Sequence, residues 1–105
     1  MIGSPVMSKS HHGEKTADRV RYLRQTSEIT QYQFERLAML PKGYANAIES
    51  GDRNPRTDTA IRIARTFGCS LDWLLMGEGT KPKTAAIRAA VARAEKRIET
   101  FKQVG

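Results

Sequence analysis

The chain is short of most things that catalysis, metal binding or membrane insertion require. It has one cysteine, Cys69, so neither an intrachain disulfide nor a cysteine metal cluster is available. Cys69 lies between Phe67 and Leu71, an apolar setting that predicts a buried, inert thiol. The two histidines, His11 and His12, are adjacent, so on any regular element they point apart. No run of about 18 apolar residues exists, which excludes a bilayer-spanning helix. The amino-terminal residues lack an apolar signal-peptide stretch, so a cytoplasmic protein is expected. Glycines fall at helix ends rather than in a phosphate-binding loop, and the carboxylates form no obvious pair. An enzyme is therefore not expected, nor a cofactor, nor a metal.

What is present is positive charge, unevenly placed. The formal net charge is +7 over 105 residues. Residues 17–80 hold nine basic and eight acidic side chains, whereas residues 81–105 hold seven basic and two acidic. A basic balance favours phosphate-bearing partners. Docking by the near-neutral part must then rest on local placement, while the tail adds a salt-sensitive, sequence-independent attraction.

Periodicity divides the chain into three parts. Residues 1–15 mix small and polar residues without a period and read as a mobile arm, within which Met7 is an alternative start. Residues 16–79 read as a compact run of five helices, and residues 80–105 as one amphipathic helix. The first helix is predicted from Thr16 to Gln25, with Ala17, Val20, Leu23 and Arg24 on one face. The second begins with Thr30 as N-cap and Gln33 three residues on, a capping box, and ends near Ala38. The third is predicted from Pro41, a residue suited to a helix start, to Ser50, with Gly51 ending it. The fourth runs from Thr57 to Phe67 with Ala60, Ile61, Ala64 and Phe67 buried, and Gly68 closes it. The fifth opens at Ser70 and is apolar nearly all round, so it is buried or at an interface. The last runs from Thr84 to Gln103 and carries Ile87, Val91, Ala94, Ile98 and Phe101 at 4-3-4-3 spacing, a seam of coiled-coil type.

Between Ile29 and Pro55 two short helices meet at a turn, with Phe34 and Ala38 on one and Ala45 and Ile48 on the other. One face of the second of these is left without core duty, as in a helix offered to a DNA major groove. These segments come in a recognisable order: Arg19-Val20 with Leu23-Arg24, Ile29-Thr30-Gln31, Ile48-Glu49-Ser50-Gly51, Pro55, Ile63-Ala64, and GCSLDWLLMGEG at 68–79. The chain resembles the lambda-repressor-like, Cro/XRE-type helix-turn-helix domains of phage and bacterial regulators over roughly Asp18 to Glu78.

The resemblance implies an all-α, five-helix domain that binds double-stranded DNA, usually as a two-fold dimer. It implies a phosphate contact from Gln31, an internal ion pair between Arg24 and Glu49, base readout from Lys42, Gly43, Tyr44, Asn46 and Ala47, and phosphate contacts from Arg53, Asn54 and Arg56. Lys42 ranks first as a reader and Tyr44 second. Lys42 suits guanine, Asn46 adenine and Ala47 a thymine methyl. The expected function is a transcriptional regulator, a repressor on a pseudo-palindromic operator. Dimer contacts are expected from Trp73 and from the Ile87, Val91, Ala94, Ile98, Phe101 seam. The alternative is an antitoxin-type protein-interaction module that binds a partner toxin, covered by its last helix, and its own promoter. A membrane-surface role suits the narrow, alanine-rich seam less well. Self-cleavage by a C-terminal domain is not expected in so short a chain. Glu35, where the family has a small residue, and Met39, where it has Gly, predict a more open or differently packed corner between the second and third helices, or a Glu35 swung outward onto Arg36 or Lys42.

Overall fold

A computed structural model describes residues 15–104, with side chains up to residue 100. His11, His12, Met7 and the side chain of Phe101 lie outside the described residues. Six helices follow one another in chain order, with no strand among the described residues: α1 (Thr16–Ser27), α2 (Gln31–Ala38), α3 (Tyr44–Glu49), α4 (Thr57–Phe67), α5 (Asp72–Met76, a π-helical turn) and α6 (Thr84–Val104). None is long and apolar enough to cross a membrane.

The ends of these helices follow from local chemistry. Thr30 caps α2: its hydroxyl accepts from Gln33 N at 3.0 Å, and the Gln33 side chain accepts from Thr30 N at 2.8 Å. That capping box satisfies two otherwise unpaired N–H groups. Gly68 ends α4 at φ 74°, a left-handed conformation that glycine adopts without penalty. Met39 ends α2 in the same region at φ 59°, where a non-glycine residue is strained.

Two predicted boundaries move. The third helix begins at Tyr44, not Pro41. Pro41 to Gly43 form a turn closed by Tyr44 N donating to the Pro41 carbonyl at 3.2 Å, and Gly43 at φ 90° is outside helical space. The first helix runs on to Ser27, two residues beyond Gln25, before Glu28 turns left-handed at φ 59°.

The core is a single cluster that includes Val20, Leu23, Phe34, Ala45, Ile48, Ile63, Phe67 and Leu74. Phe34 and Phe67 stack at 4.6 Å between centroids and 11° between planes, joining α2 to α4. On α4 the buried stripe is Ala60, Ile63, Ala64 and Phe67; Ile61 is only half-buried. Ile63 completes the i, i+3, i+4 set, which Ile61 does not.

The largest departure from expectation concerns α6. Its seam packs onto its own chain. Ile87, Val91 and Ala94 belong to the core cluster, at 0%, 7% and 1% exposure, and Ile98 packs against that cluster half-buried. Trp73 is also buried, edge-on to Tyr22 at 6.0 Å. These side chains, assigned from sequence to a second chain, are therefore occupied within one. Gly68 leaves room for this approach: a Cβ there would stand 3.0 Å from Ala90 Cβ and 3.3 Å from the Ala86 carbonyl oxygen, so a side chain would press α6 away from the end of α4 by a few tenths of an ångström. The linker is clamped as well: Tyr22 Oη donates to the Pro82 carbonyl at 2.9 Å, and Lys81 Nζ lies 4.2 Å from the Tyr22 ring centroid.

Candidate nucleic-acid interface

α2 and α3 are braced from behind. Phe34 and Ala38 on α2, and Ala45 and Ile48 on α3, are all buried. With that side of α3 committed, the other side is free. Lys42, Gly43 and Asn46 are exposed, and Tyr44 and Ala47 are half-buried. The structure thus brings the five expected reading positions together on one outward ridge, although Lys42 and Gly43 sit in the turn before α3 rather than on it.

Tyr44 is not a free side chain. The Arg53 guanidinium stacks over its ring, 4.6 Å from the centroid, and Arg53 Nη1 donates to Tyr44 Oη at 3.3 Å. The loop holding Arg53 is fixed to α3 by Arg53 N donating to the Ala47 carbonyl at 3.1 Å. Arg53, Asn54 and Arg56 are exposed beside this ridge, Arg56 at the start of α4. Two of the expected contacts, Tyr44 and Arg53, therefore form one cationic unit.

Behind the ridge lies an ionic cluster centred on Glu49, 5% exposed. Arg24 reaches it with both arms, Nε to Oε2 at 2.7 Å and Nη2 to Oε1 at 3.0 Å. That paired geometry is the strong form of an arginine–carboxylate contact. The hydrogen bond to Glu49 holds the Arg24 pKa above its ordinary value, against partial burial. Arg24 Nη1 also donates to the Ile29 carbonyl at 3.1 Å, so one residue ties α1 to α3 and to the entry of α2. Arg21 adds a contact to Glu49 at 3.7 Å and donates to its backbone carbonyl. Gln31, expected on a phosphate, instead donates its side-chain amide to Glu49 Oε1 at 3.3 Å. It stands at the first turn of α2, half-buried at the edge of the same ridge.

Glu35 is not swung outward onto Arg36 or Lys42; it turns inward and packs the corner through polar contacts instead of a small side chain. It is 5% exposed, and its Oε2 accepts from Gly43 N and Ala45 N, each at 2.9 Å. A hydrogen-bonded carboxylate thus bridges α2 to the start of α3. A signal for this was present: Pro41-Lys42-Gly43 offers no Ser, Thr, Asp or Asn to cap α3, so an acceptor had to come from elsewhere. Arg19 was likewise unforeseen. It is buried, and donates from Nε to the Leu74 carbonyl at 2.8 Å and from Nη2 to the Leu75 carbonyl at 3.2 Å. It holds the carbonyl end of α5 against α1.

Comparison with known proteins agrees with this geometry. A family model described as helix-turn-helix matches residues 20–74. The HTH-type transcriptional regulator DicA of Escherichia coli (strain K12) is 26% identical over 82 residues, 78% of this chain and 61% of that protein. The chain thus spans about three fifths of the length of that curated relative. No solved structure matches the chain significantly. With more than half its length matched by the family model, and with α2 and α3 set at the corner described, this chain belongs to the Cro/C1-type helix-turn-helix family.

Proposed function

We propose that the chain is a DNA-binding transcriptional regulator that reads double-stranded DNA with the ridge from Lys42 to Ala47, and that it acts as a repressor in the cytoplasm. The observation that carries this reading is the division of labour on α3: Ala45 and Ile48 are buried against α2, while Lys42 and Asn46 are exposed. A short helix fixed on one side and open on the other is what insertion into a major groove requires. Lys42 donates to guanine edges and Asn46 to adenine. Arg53, Asn54 and Arg56 hold phosphates, and Gln31 joins them by exchanging its bond to Glu49 for one to an anion.

On this reading two copies occupy successive major grooves of a pseudo-palindrome, about 34 Å apart. The pairing surface is the outer side of α5, where Leu75 and Met76 are 36% and 65% exposed. Burial of the α6 seam removes the support for α6 as a free binding helix for a partner protein. Selection from random duplexes with the purified protein tests the function. A two-fold motif with half-sites one helical turn apart is expected, and recovery of unselected sequence overturns it. A mass measurement in solution tests the pairing, with dimers expected and monomers at tens of micromolar contrary to it.

A further inference from the structure

We propose that Glu35 is a positioning residue for DNA reading, setting where α3 begins and hence which side chains reach the bases. The inference rests on the DNA-reading function above. α3 spans only six residues, less than two turns, so its ordering depends on how its ends are held. The residues before it supply no side-chain acceptor, and Gly43 at φ 90° needs fixing if α3 is to start at one place. The buried Glu35 carboxylate does this from the neighbouring helix through the amides of Gly43 and Ala45. Tyr44 lies between these two anchored residues and holds Arg53 through both its ring and its hydroxyl. The carboxylate thus fixes the backbone under Lys42, Tyr44 and, through Tyr44, Arg53.

The charge has a second effect. A helix start attracts anions, and a carboxylate already there meets that attraction. Phosphates are left to the arginines and to Gln31, and the amino end of α3 is kept for bases. Loss of Glu35 therefore blurs base selection more than it weakens general attraction to DNA, because Arg53 and Arg56 stay exposed.

The test uses the full chain as wild type, Glu35→Ala, Glu35→Asp and Glu35→Gln, with two readouts. The first is amide hydrogen exchange at Gly43 and Ala45 without DNA. The second is the ratio of affinities for the selected duplex and for a scrambled duplex. Glu35→Ala is expected to speed exchange at both amides and to lower the ratio about tenfold, the size of a lost cap, with little change on scrambled DNA. Glu35→Asp keeps the charge but is one methylene shorter, and is expected to behave similarly, so the test survives if the alanine variant does not fold. Glu35→Gln retains an acceptor for both amides and is expected to keep protection and most of the ratio. An unchanged ratio in folded Glu35→Ala or Glu35→Asp overturns the proposal, as does an equal loss on both duplexes. Wild-type protein that selects no duplex overturns the DNA-reading function itself, and in that case protection at Gly43 and Ala45 still reports whether the cap exists.

Discussion

The Glu49 carboxylate shows how much a single residue can organise: Arg24, Arg21 and Gln31 converge on it, and it is 5% exposed. Replacing Arg24 with Ala leaves a buried anion with weaker partners, which costs about 3 kcal/mol of stability, measurable as a lower urea midpoint. Met39 makes the opposite case. It holds a left-handed φ of 59° with 71% of its surface exposed, so it is strained and packs little. Met39→Gly is expected to raise the melting temperature by a few degrees, the relief of about 1 kcal/mol of strain less the cost of a looser unfolded chain. Cys69 is also open to test. It is half-buried rather than fully buried as expected, and that burial pushes its thiol up to about 12 from 9.0, so the native protein holds it protonated. A raised folded pKa contributes stability that is complete below pH 9.0 and is lost as pH rises toward 12. Alkylation at pH 8.5 is expected to be slow in the native state and rapid in urea.

At the scale of elements, the sequence disclosed those whose signals are local. The Thr30–Gln33 capping box, the span of α4 and the start of α6 follow from caps and periodicity, and the structure has them where expected. The Arg24–Glu49 pair was legible only through the family resemblance, since its partners are 25 residues apart. What stayed hidden was what one element does to another. Nothing local in Glu35 says that it caps a helix eight residues on. Nothing in the α6 spacing distinguishes a partner chain from its own domain, because the same seam buries equally well against either. Gly68 reads from sequence as an ordinary helix end, yet it also leaves room for Ala86 and Ala90. Gly68→Ala combines a forced left-handed conformation with a 3.0 Å approach to Ala90 Cβ. It is expected to cost about 1–3 kcal/mol, seen as a lower melting temperature.

For the molecule as a whole, α6 belongs to the fold. Ile87 is fully buried, and Ile87→Ala is expected to cost about 2–5 kcal/mol, with a melting temperature independent of protein concentration. A strong concentration dependence would return the seam to a dimer interface. Truncation after Gly79 strips cover from α1, α2 and α4, so loss of cooperative unfolding is expected along with any change in binding. The remaining charge asymmetry then has a clear place. The domain that carries the ridge is nearly neutral, whereas residues 81–105 hold seven basic and two acidic side chains. On the proposed reading, sequence preference belongs to the ridge and salt-sensitive attraction to residues 81–105.

These two contributions separate in one measurement: the affinities of wild-type and Lys42→Ala protein for the selected duplex and its base-substituted variants at fixed salt. A reading ridge predicts that Lys42→Ala relaxes preference at one or two positions by about 1–3 kcal/mol while binding to unrelated duplexes holds. Equal weakening on every duplex, or no discrimination by the wild type, contradicts it.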